Sequence, residues 1–146
     1  MKHAVISGIT ADIGNALAER LIADGWRVTG LGRKLERLGN IGADLIEVSL
    51  DDSVQLAHAC SQIEPWDLYI SCVGTMQPIG PFFSSDFDQW QNTIELNSLS
   101  QLRMLHLFWE NRKANPDVMF LAGGGTHNPM PNYSACCVSK IFFFQM

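Results

Sequence analysis

The sequence has few basic residues, and almost none of them are grouped. Ten Lys and Arg stand against 15 Asp and Glu, which gives a net charge of −5, and the largest basic group is Arg33, Lys34 and Arg37. Because nucleic acids and anionic membranes are bound through basic surfaces, we expect neither as a partner. No apolar run approaches the roughly 20 residues of a transmembrane helix. The first residues lead into a glycine turn and not into a cleavage site. These features predict a cytoplasmic protein.

Metal-binding cysteine patterns are also missing. The four cysteines, at positions 60, 72, 136 and 137, form no C-x-x-C pair. Since adjacent cysteines ligate a single metal ion poorly, we expect no metal site. Cys60 and Cys72 lie in apolar stretches, where cysteine behaves as a small buried hydrophobic residue. We therefore expect reduced thiols with structural roles.

What the sequence does contain is a regular alternation of strand and helix patterns. With 47% hydrophobic and 17% charged residues, the 146-residue chain has the composition of a globular protein, and its length suits one domain over 1–146. Strands are predicted at 3–9, 27–32, 44–50, 67–74 and 117–125, and helices at 14–25, 53–63, 86–111 and from 134. Continuous apolar runs indicate strands covered on both faces, and the alternation indicates parallel pairing. The predicted fold is α/β: a Rossmann-like, doubly wound parallel sheet of about five strands with helices on both faces.

The turn "SGITADIG" (7–14) lies between the first strand and the first helix. A helix N-terminus presents unpaired N–H groups and the positive end of the helix dipole, so it attracts phosphate. Gly8 and Gly14 would let the backbone approach a pyrophosphate closely. The alternative is that these glycines serve only the conformation of the turn. The position after the first strand favours a dinucleotide site.

Four motifs in order resemble the short-chain dehydrogenase/reductase family, and the resemblance runs through nearly the whole chain. "SGITADIG" is similar to the family's T-G-x-x-x-G-x-G, with Ser7 for threonine and Asp12 for the middle glycine. "DLYISCVG" (67–74) is similar to D-x-L-V-N-N-A-G and keeps Gly74. "IGPFFSSDFDQWQNTIELN" (79–97) resembles the stretch that ends in the family's catalytic asparagine, and "YSACCVSK" (133–140) falls where its tyrosine and lysine belong.

The resemblance implies a nicotinamide dinucleotide as cofactor. Arg33 and Lys34 follow the second strand, where arginine accommodates a 2′-phosphate and an acidic residue would bind the free hydroxyl, so NADP is favoured over NAD. The alternative is that both side chains are solvated at the start of a helix. The residues expected to contact the cofactor are Gly8, Thr10, Asp12, Ile13, Gly14, Arg33, Lys34, Asp51 (or Ser49), Cys72, Val73, Gly74 and Lys140.

The family's reaction uses a tyrosine as proton donor and a lysine four residues later, which lowers the pKa of the phenol. Here Lys140 is in register, but the position four residues before it is Cys136. Tyr133 lies seven residues before Lys140, which on a helix is ~10.5 Å along the axis, so we expect it to be a loop aromatic ahead of a Ser134 cap.

The remaining catalytic positions are only partly filled. Asn97 corresponds to the catalytic asparagine, whereas glycines occupy the expected serine position and Thr126 is the nearest hydroxyl, with His127 beside it. The weaker catalytic candidates are therefore Thr126 and Tyr133. Losing a positioned general acid typically costs ~10²–10⁴ in rate, so we expect poor turnover or none.

Two further expectations concern substrate and assembly. The resemblance implies a small carbonyl or alcohol substrate, and also strands and a substrate loop that 1–146 does not include. It further implies a homo-oligomer formed through helices 86–111 and 134–146. Three classes of function stay open: an NADP-dependent oxidoreductase, an inactive nucleotide-binding or structural relative, and an epimerase that would need the same tyrosine. No nucleophile elbow supports a hydrolase.

Overall fold

The computed structural model describes residues 1–145, which form two compact units. One unit comprises residues 1–72 and 104–121, and the other comprises residues 73–103 together with the chain from Ala122 onward. The prediction of a single domain over 1–146 stays a prediction.

The five strands all belong to the first unit, and the helices are shared between the two. The strands are β1 His3–Ser7, β2 Arg27–Gly32, β3 Asp44–Glu47, β4 Trp66–Ser71 and β5 Arg112–Phe120. The α-helices are α1 Asp12–Ala23, α2 Ser53–Ser61, α3 Phe87–Ile94, α4 Ser100–Phe108 and α5 Ser134–Ile141. A π-helical segment, Glu95–Leu99, joins α3 to α4, and short 3₁₀ turns cover Leu35–Arg37, Phe82–Ser84, Trp109–Asn111, Gly124–Thr126 and Phe142–Gln145.

All strands of the first unit pair in parallel in the order β3-β2-β1-β4-β5. One face of β1 packs its Ala4 and Ile6 with Ala18 of α1 in a buried cluster. Tyr69 of β4 is fully buried and meets the ring of Phe108, from α4, edge to face at 5.1 Å between centroids. The predicted Rossmann-like sheet is therefore confirmed, and its order reverses direction beside β1, where such folds bind ligands.

The edge strands differ from the prediction. β5 spans Arg112–Phe120 and not 117–125, because its pairing with β4 begins at Arg112 and passes an irregularity before Asp117. The glycines at 123–125 lie in the turn that follows. β3 and β5 are also largely exposed, whereas every residue of β1 is buried. Burial on both faces was thus correct for the central strands only.

Several helix ends are closed by residue types that favour such positions. Asp52 caps α2, and its carboxylate accepts from the backbone N–H groups of Val54 and Gln55. Gly25 has a φ of 83° just past α1, where a residue with a Cβ would be strained. The predicted helix over 86–111 forms with Asp86 as its cap, but the π-helical segment interrupts it. Within residues 1–145, no helix is both long and apolar enough to cross a bilayer.

Candidate functional site

The glycine turn of the first unit is held against the sheet by backbone hydrogen bonds. The N–H groups of Gly8 and Ile9 donate to the carbonyl of Leu31 at 2.8 and 3.2 Å, and Ala11 N–H donates to the Gly8 carbonyl at 3.0 Å. Gly8 has a φ of 72°, which favours glycine. Backbone hydrogen bonds therefore hold the turn in place at the carboxyl end of β1.

Gly14 allows α1 to pass close to this turn. A Cβ at position 14 would overlap the Gly8 carbonyl oxygen and lie 3.0 Å from Ile9 Cα, both of them backbone atoms. The residue is buried in the first turn of the helix. Any larger residue would have to push the helix start away from the strand, so glycine is required here for packing.

The first turn of α1 has no side-chain cap. Ala11 is the capping residue and has no side-chain acceptor, so the first N–H groups of the helix are left without a side-chain partner. Asp12, a residue type that often caps helices, is here the first helical residue, and its side chain is exposed. Ile13 beside it is 57% exposed. An uncapped helix start next to a tight glycine turn fits the phosphate groups of a dinucleotide.

Charged residues follow β2 and β3 in the same unit. Arg33 and Lys34 are exposed after β2, and Lys34 has a φ of 55°. Asp51 accepts a hydrogen bond from the Ser49 hydroxyl, which is the first cause of the lowered pKa of its carboxyl group; the positive charge of Arg33 also lowers it. A Cβ added to Gly32 would lie 3.6 Å from Thr10 Oγ1, so the Thr10 side chain lies near Gly32. Arg33 thus follows β2 close enough to Asp51 for the two charges to interact.

Cys72 is the last predicted cofactor-binding residue in the first unit. Its N–H donates to the Ser7 carbonyl at 2.9 Å, which extends the β1–β4 pairing by one residue. The thiol is half-buried, and no disulfide forms among the four cysteines. The contribution of Cys72 is therefore a backbone one.

In the second unit, Lys140 lies buried in the last turn of α5. Its side chain is 7% exposed, Nζ donates to the Val73 carbonyl at 3.2 Å, and the ammonium lies over the Phe143 ring at 5.3 Å. A Cβ on Gly74 would stand 3.5 Å from Lys140 Nζ and 3.7 Å from Asn97 Oδ1. The predicted lysine and asparagine thus approach the same short backbone segment.

Asn97 lies in the π-helical segment, fully buried, and holds two pieces of chain together. Its Oδ1 accepts from Thr75 N–H at 2.8 Å, while Nδ2 donates to the Thr75 carbonyl at 2.9 Å and to Ser139 Oγ at 3.1 Å. Ser139 Oγ in turn donates to the Cys136 carbonyl at 2.9 Å. π-helical turns occur often at functional sites. This one directs Asn97 toward α5 and the segment after Val73.

A cavity of about 120 Å³ opens beside Lys140 within the second unit. Cys136 lines it, and burial raises the pKa of the Cys136 thiol, although the charge of Lys140 acts in the opposite direction. Tyr133 lines the same cavity. It occupies the capping position of α5 with a φ of −122°, so it lies just outside the helix as expected. Ser134 is not the cap that the sequence suggested; its Oγ accepts from the indole N–H of Trp90 at 3.0 Å.

Thr126 also lines this cavity, and its hydroxyl donates to the Gly123 carbonyl at 2.7 Å. His127 next to it is exposed. Several lining residues were not singled out by the sequence: Met76, Gly125, Met130 and Cys137. Sequence reasoning also missed three buried polar residues: Ser98, Gln101 and Ser139. Of these, Gln101 donates from Nε2 to the Val73 carbonyl, which also accepts from Lys140. Their partners lie tens of residues away, so no local pattern indicates them.

Comparison with known proteins identifies the family. A family described as short chain dehydrogenase matches residues 2–146. Serine 3-dehydrogenase from Agrobacterium fabrum is 26% identical over 112 residues, which is 70% of this chain and 45% of that protein. A probable NADP-dependent dehydrogenase from Haemophilus influenzae is 27% identical over 121 residues, 76% of this chain and 48% of that protein. The chain spans about half the length of these relatives.

Solved structures show the same fold at low identity. Serine dehydrogenase from Escherichia coli superposes with a TM-score of 0.87 at 16% identity, over 98% of this chain and 72% of that one. A short chain dehydrogenase from Shigella flexneri gives a TM-score of 0.90 at 15% identity, over 99% and 64%. The likeness shows the fold alone, and the match over residues 2–146 shows the family: this chain belongs to the short-chain dehydrogenase/reductase family.

Proposed function

We propose that the chain binds NADP(H) and takes part in hydride transfer between the nicotinamide and a small carbonyl or alcohol substrate, with low turnover. The observation that carries the cofactor part is the uncapped start of α1 beside the tight Gly8–Gly14 turn. Family membership supports the same assignment. The reaction of the whole protein, its substrate and its partners are part of the proposal.

The residues of the first unit fit the phosphates of the cofactor. The turn and the first residues of α1 would bind the pyrophosphate through backbone N–H groups. The residues are Gly8 and Thr10 in the turn and Asp12, Ile13 and Gly14 in the helix. The carboxylate of Asp12 is exposed at this point and would lower the affinity modestly unless it turns aside.

Selection of NADP over NAD is assigned to the charged residues after β2. Arg33, with Lys34 beside it, would bind a 2′-phosphate through charged hydrogen bonds. Asp51 would orient Arg33, since the two charges interact. The name of the Haemophilus influenzae relative, a probable NADP-dependent dehydrogenase, agrees with this choice.

The second unit would supply the acid–base groups. The nicotinamide gives or takes up hydride, and the protein must handle the accompanying proton. Lys140 would hold positive charge next to the reacting oxygen, and Asn97 would fix Thr75 and α5 around it. Thr126 lines the cavity, and its hydroxyl would bind a carbonyl oxygen. Cys136 is a poor proton donor because thiols are weak donors on a short side chain.

The alternative function is a nucleotide-binding relative without turnover. Its support is Cys136 in the position of the tyrosine, with a thiol pKa that burial raises. Tyr133 brings a phenol to the lining of the same cavity and is the remaining candidate for the acid. The change Tyr133→Phe separates these cases, since it would abolish residual reduction only if Tyr133 donates the proton.

The direct test is a titration of the purified chain with NADPH and with NADH, followed by turnover against a panel of aldehydes and ketones. We expect saturable NADPH binding, weaker NADH binding, and a rate far below that of ordinary members of the family. Absence of binding to both nucleotides would contradict the cofactor proposal. Rapid turnover would contradict the proposed low activity and also the alternative function.

Self-association belongs to the same proposal. The apolar side chains of Leu99, Val138, Ile141 and Phe142 are each more than 40% exposed in the second unit. An exposed apolar surface of this kind favours contact between copies. Met146, part of the predicted interface helix, lies outside the described residues. Sedimentation of the parent and of Ile141→Glu would test self-association: we expect an oligomeric parent and a variant shifted toward monomer. A monomeric parent would contradict the proposal.

A further inference from the structure

Sulfur is unusually concentrated around the cavity of the second unit. Two thioethers and two thiols line it, those of Met76, Met130, Cys136 and Cys137. They come from three different segments: the stretch after Gly74, the turn before α5, and the first turns of α5 itself. The proposed hydride-transfer chemistry uses neither methionine and does not need Cys137.

Two of these sulfurs converge on one point. A Cβ added to Gly125 would overlap Cys137 Sγ and lie 3.3 Å from Met130 Sδ. Both sulfur atoms therefore lie against the bare α-carbon of Gly125, in space that any side chain at position 125 would occupy. Because position 125 is glycine, both sulfurs lie at the place where its side chain would begin.

The backbone that carries the two sulfurs is fixed by hydrogen bonds. Thr126 N–H donates to the Gly123 carbonyl at 3.1 Å, which closes the turn around Gly125. Tyr133 N–H donates to the Met130 carbonyl at 3.2 Å, and Cys137 N–H donates to the Tyr133 carbonyl at 3.0 Å. Consecutive turns thus connect Met130 to Cys137, so the positions of the two sulfurs are set by the fold before anything binds.

Thiolate and thioether donors select soft cations such as Cu(I) over hard ones. We propose that Cys137 Sγ and Met130 Sδ form a binding site for a soft monovalent cation of the Cu(I) class, with Cys136 and Met76 lining the same cavity. Among residues 1–145, no three His, Cys, Asp or Glu side chains come together at a metal site, which is the pattern that harder divalent ions would need.

The charges also select a monovalent ion. Binding breaks the S–H bond of Cys137, forms an S–Cu bond and releases the proton to solvent, with no change of oxidation state. The resulting thiolate–Cu(I) unit is neutral, so it adds no net charge near the ammonium of Lys140, which lines the same cavity. A divalent ion on the same two sulfurs would leave a net positive charge beside that ammonium, in a half-buried place where like charges repel strongly.

The test is anaerobic Cu(I) titration of the chain in competition with bathocuproine disulfonate, in the absence of nucleotide. The chelator removes Cu(I) from isolated thiols, so only a site with converging ligands retains it. We expect one retained equivalent in the parent, no retention in Cys137→Ser, and at least about tenfold weaker binding in Met130→Leu. Gly125→Ala keeps both ligands but places a methyl group where the sulfurs meet, and it should also weaken binding.

Matched controls are available in the first unit. Cys72→Ser removes a half-buried thiol and Met119→Leu an exposed thioether, and both should bind Cu(I) as the parent does. Circular dichroism of each variant shows that it is folded. The proposal is overturned if the parent loses all Cu(I) to the chelator, if Met130→Leu binds as tightly as the parent, or if Cys72→Ser abolishes binding. None of these outcomes bears on NADPH binding, which is measured separately.

Discussion

The glycine turn of the first unit and the lysine site of the second are made from different parts of the chain. The turn is built from backbone: uncapped N–H groups, a positive φ at Gly8 and the missing Cβ of Gly14. The lysine site is built from side chains, with Lys140 and Asn97 held by hydrogen bonds to distant segments.

This difference explains which departures from the family pattern matter. Ser7 and Asp12 replace family residues in the turn, yet the backbone that would bind phosphate is intact. Cys136 replaces one side chain in the other site, and no backbone feature can provide the lost phenol. A site made of backbone tolerates changes of side chain, and a site made of side chains does not.

The largest effect is expected from restoring the phenol. Cys136→Tyr should raise carbonyl reduction by about 10²–10⁴, the usual contribution of a positioned general acid. The rate of NADPH oxidation with saturating substrate measures it. Cys136→Phe is the matched control, because it adds the ring without the hydroxyl and should leave the rate unchanged. Equal rates for the two variants would show that the phenol is not what the site lacks.

The next effect is at Gly14, where the turn depends on a missing Cβ. Gly14→Ala forces the methyl group against the Gly8 carbonyl, which should cost about 1–3 kcal/mol of stability and abolish measurable NADPH binding. Urea unfolding and nucleotide titration measure the two effects. Gly39→Ala is a useful contrast, since nothing lies within 4 Å of the position of its Cβ. Its φ of 61° makes it strained, but NADPH binding should survive.

A smaller effect is expected for the charge that would select the 2′-phosphate. Arg33→Ala should weaken NADPH binding roughly tenfold, because it removes one charged hydrogen bond to the 2′-phosphate. NADH has no 2′-phosphate, so its binding should be unchanged. Comparison of the two dissociation constants gives the result. Arg37→Ala removes an exposed arginine from the adjacent 3₁₀ turn and should change neither constant. A parallel loss for both nucleotides in Arg33→Ala would assign Arg33 a structural role.

The smallest effect concerns the buried thiol of the first unit. Burial raises the pKa of Cys60 to about 12, above its value in the unfolded chain. The stability that this neutral thiol provides is therefore complete below the unfolded pKa of ~8.5 and falls by about 1.4 kcal/mol per pH unit above it. Urea unfolding between pH 8.5 and 10 should show a smaller loss in Cys60→Ala. An identical slope in parent and variant would contradict the assignment.

Much of the fold could be read from periodicity, because it depends on local patterns. The first two strands, predicted at 3–9 and 27–32 and found at His3–Ser7 and Arg27–Gly32, are examples. β5 was misplaced because its start depends on pairing with β4 and not on its own apolar run. Ser134 was assigned as a cap from its residue type, whereas its hydroxyl is used by Trp90 from another helix.

For the candidate site, residue type and spacing alone predict the groups available for chemistry: the glycine turn, Lys140 in register, and Cys136 at the position of the family's tyrosine. The contacts of these residues depend on the packing of the folded chain. Asn97 and Ser139 are 42 positions apart and share a hydrogen bond, and Met130 and Cys137 converge where Gly125 lacks a side chain. Residue type and spacing are local properties of the chain, whereas such contacts arise only when separate segments pack, which no single stretch of sequence records.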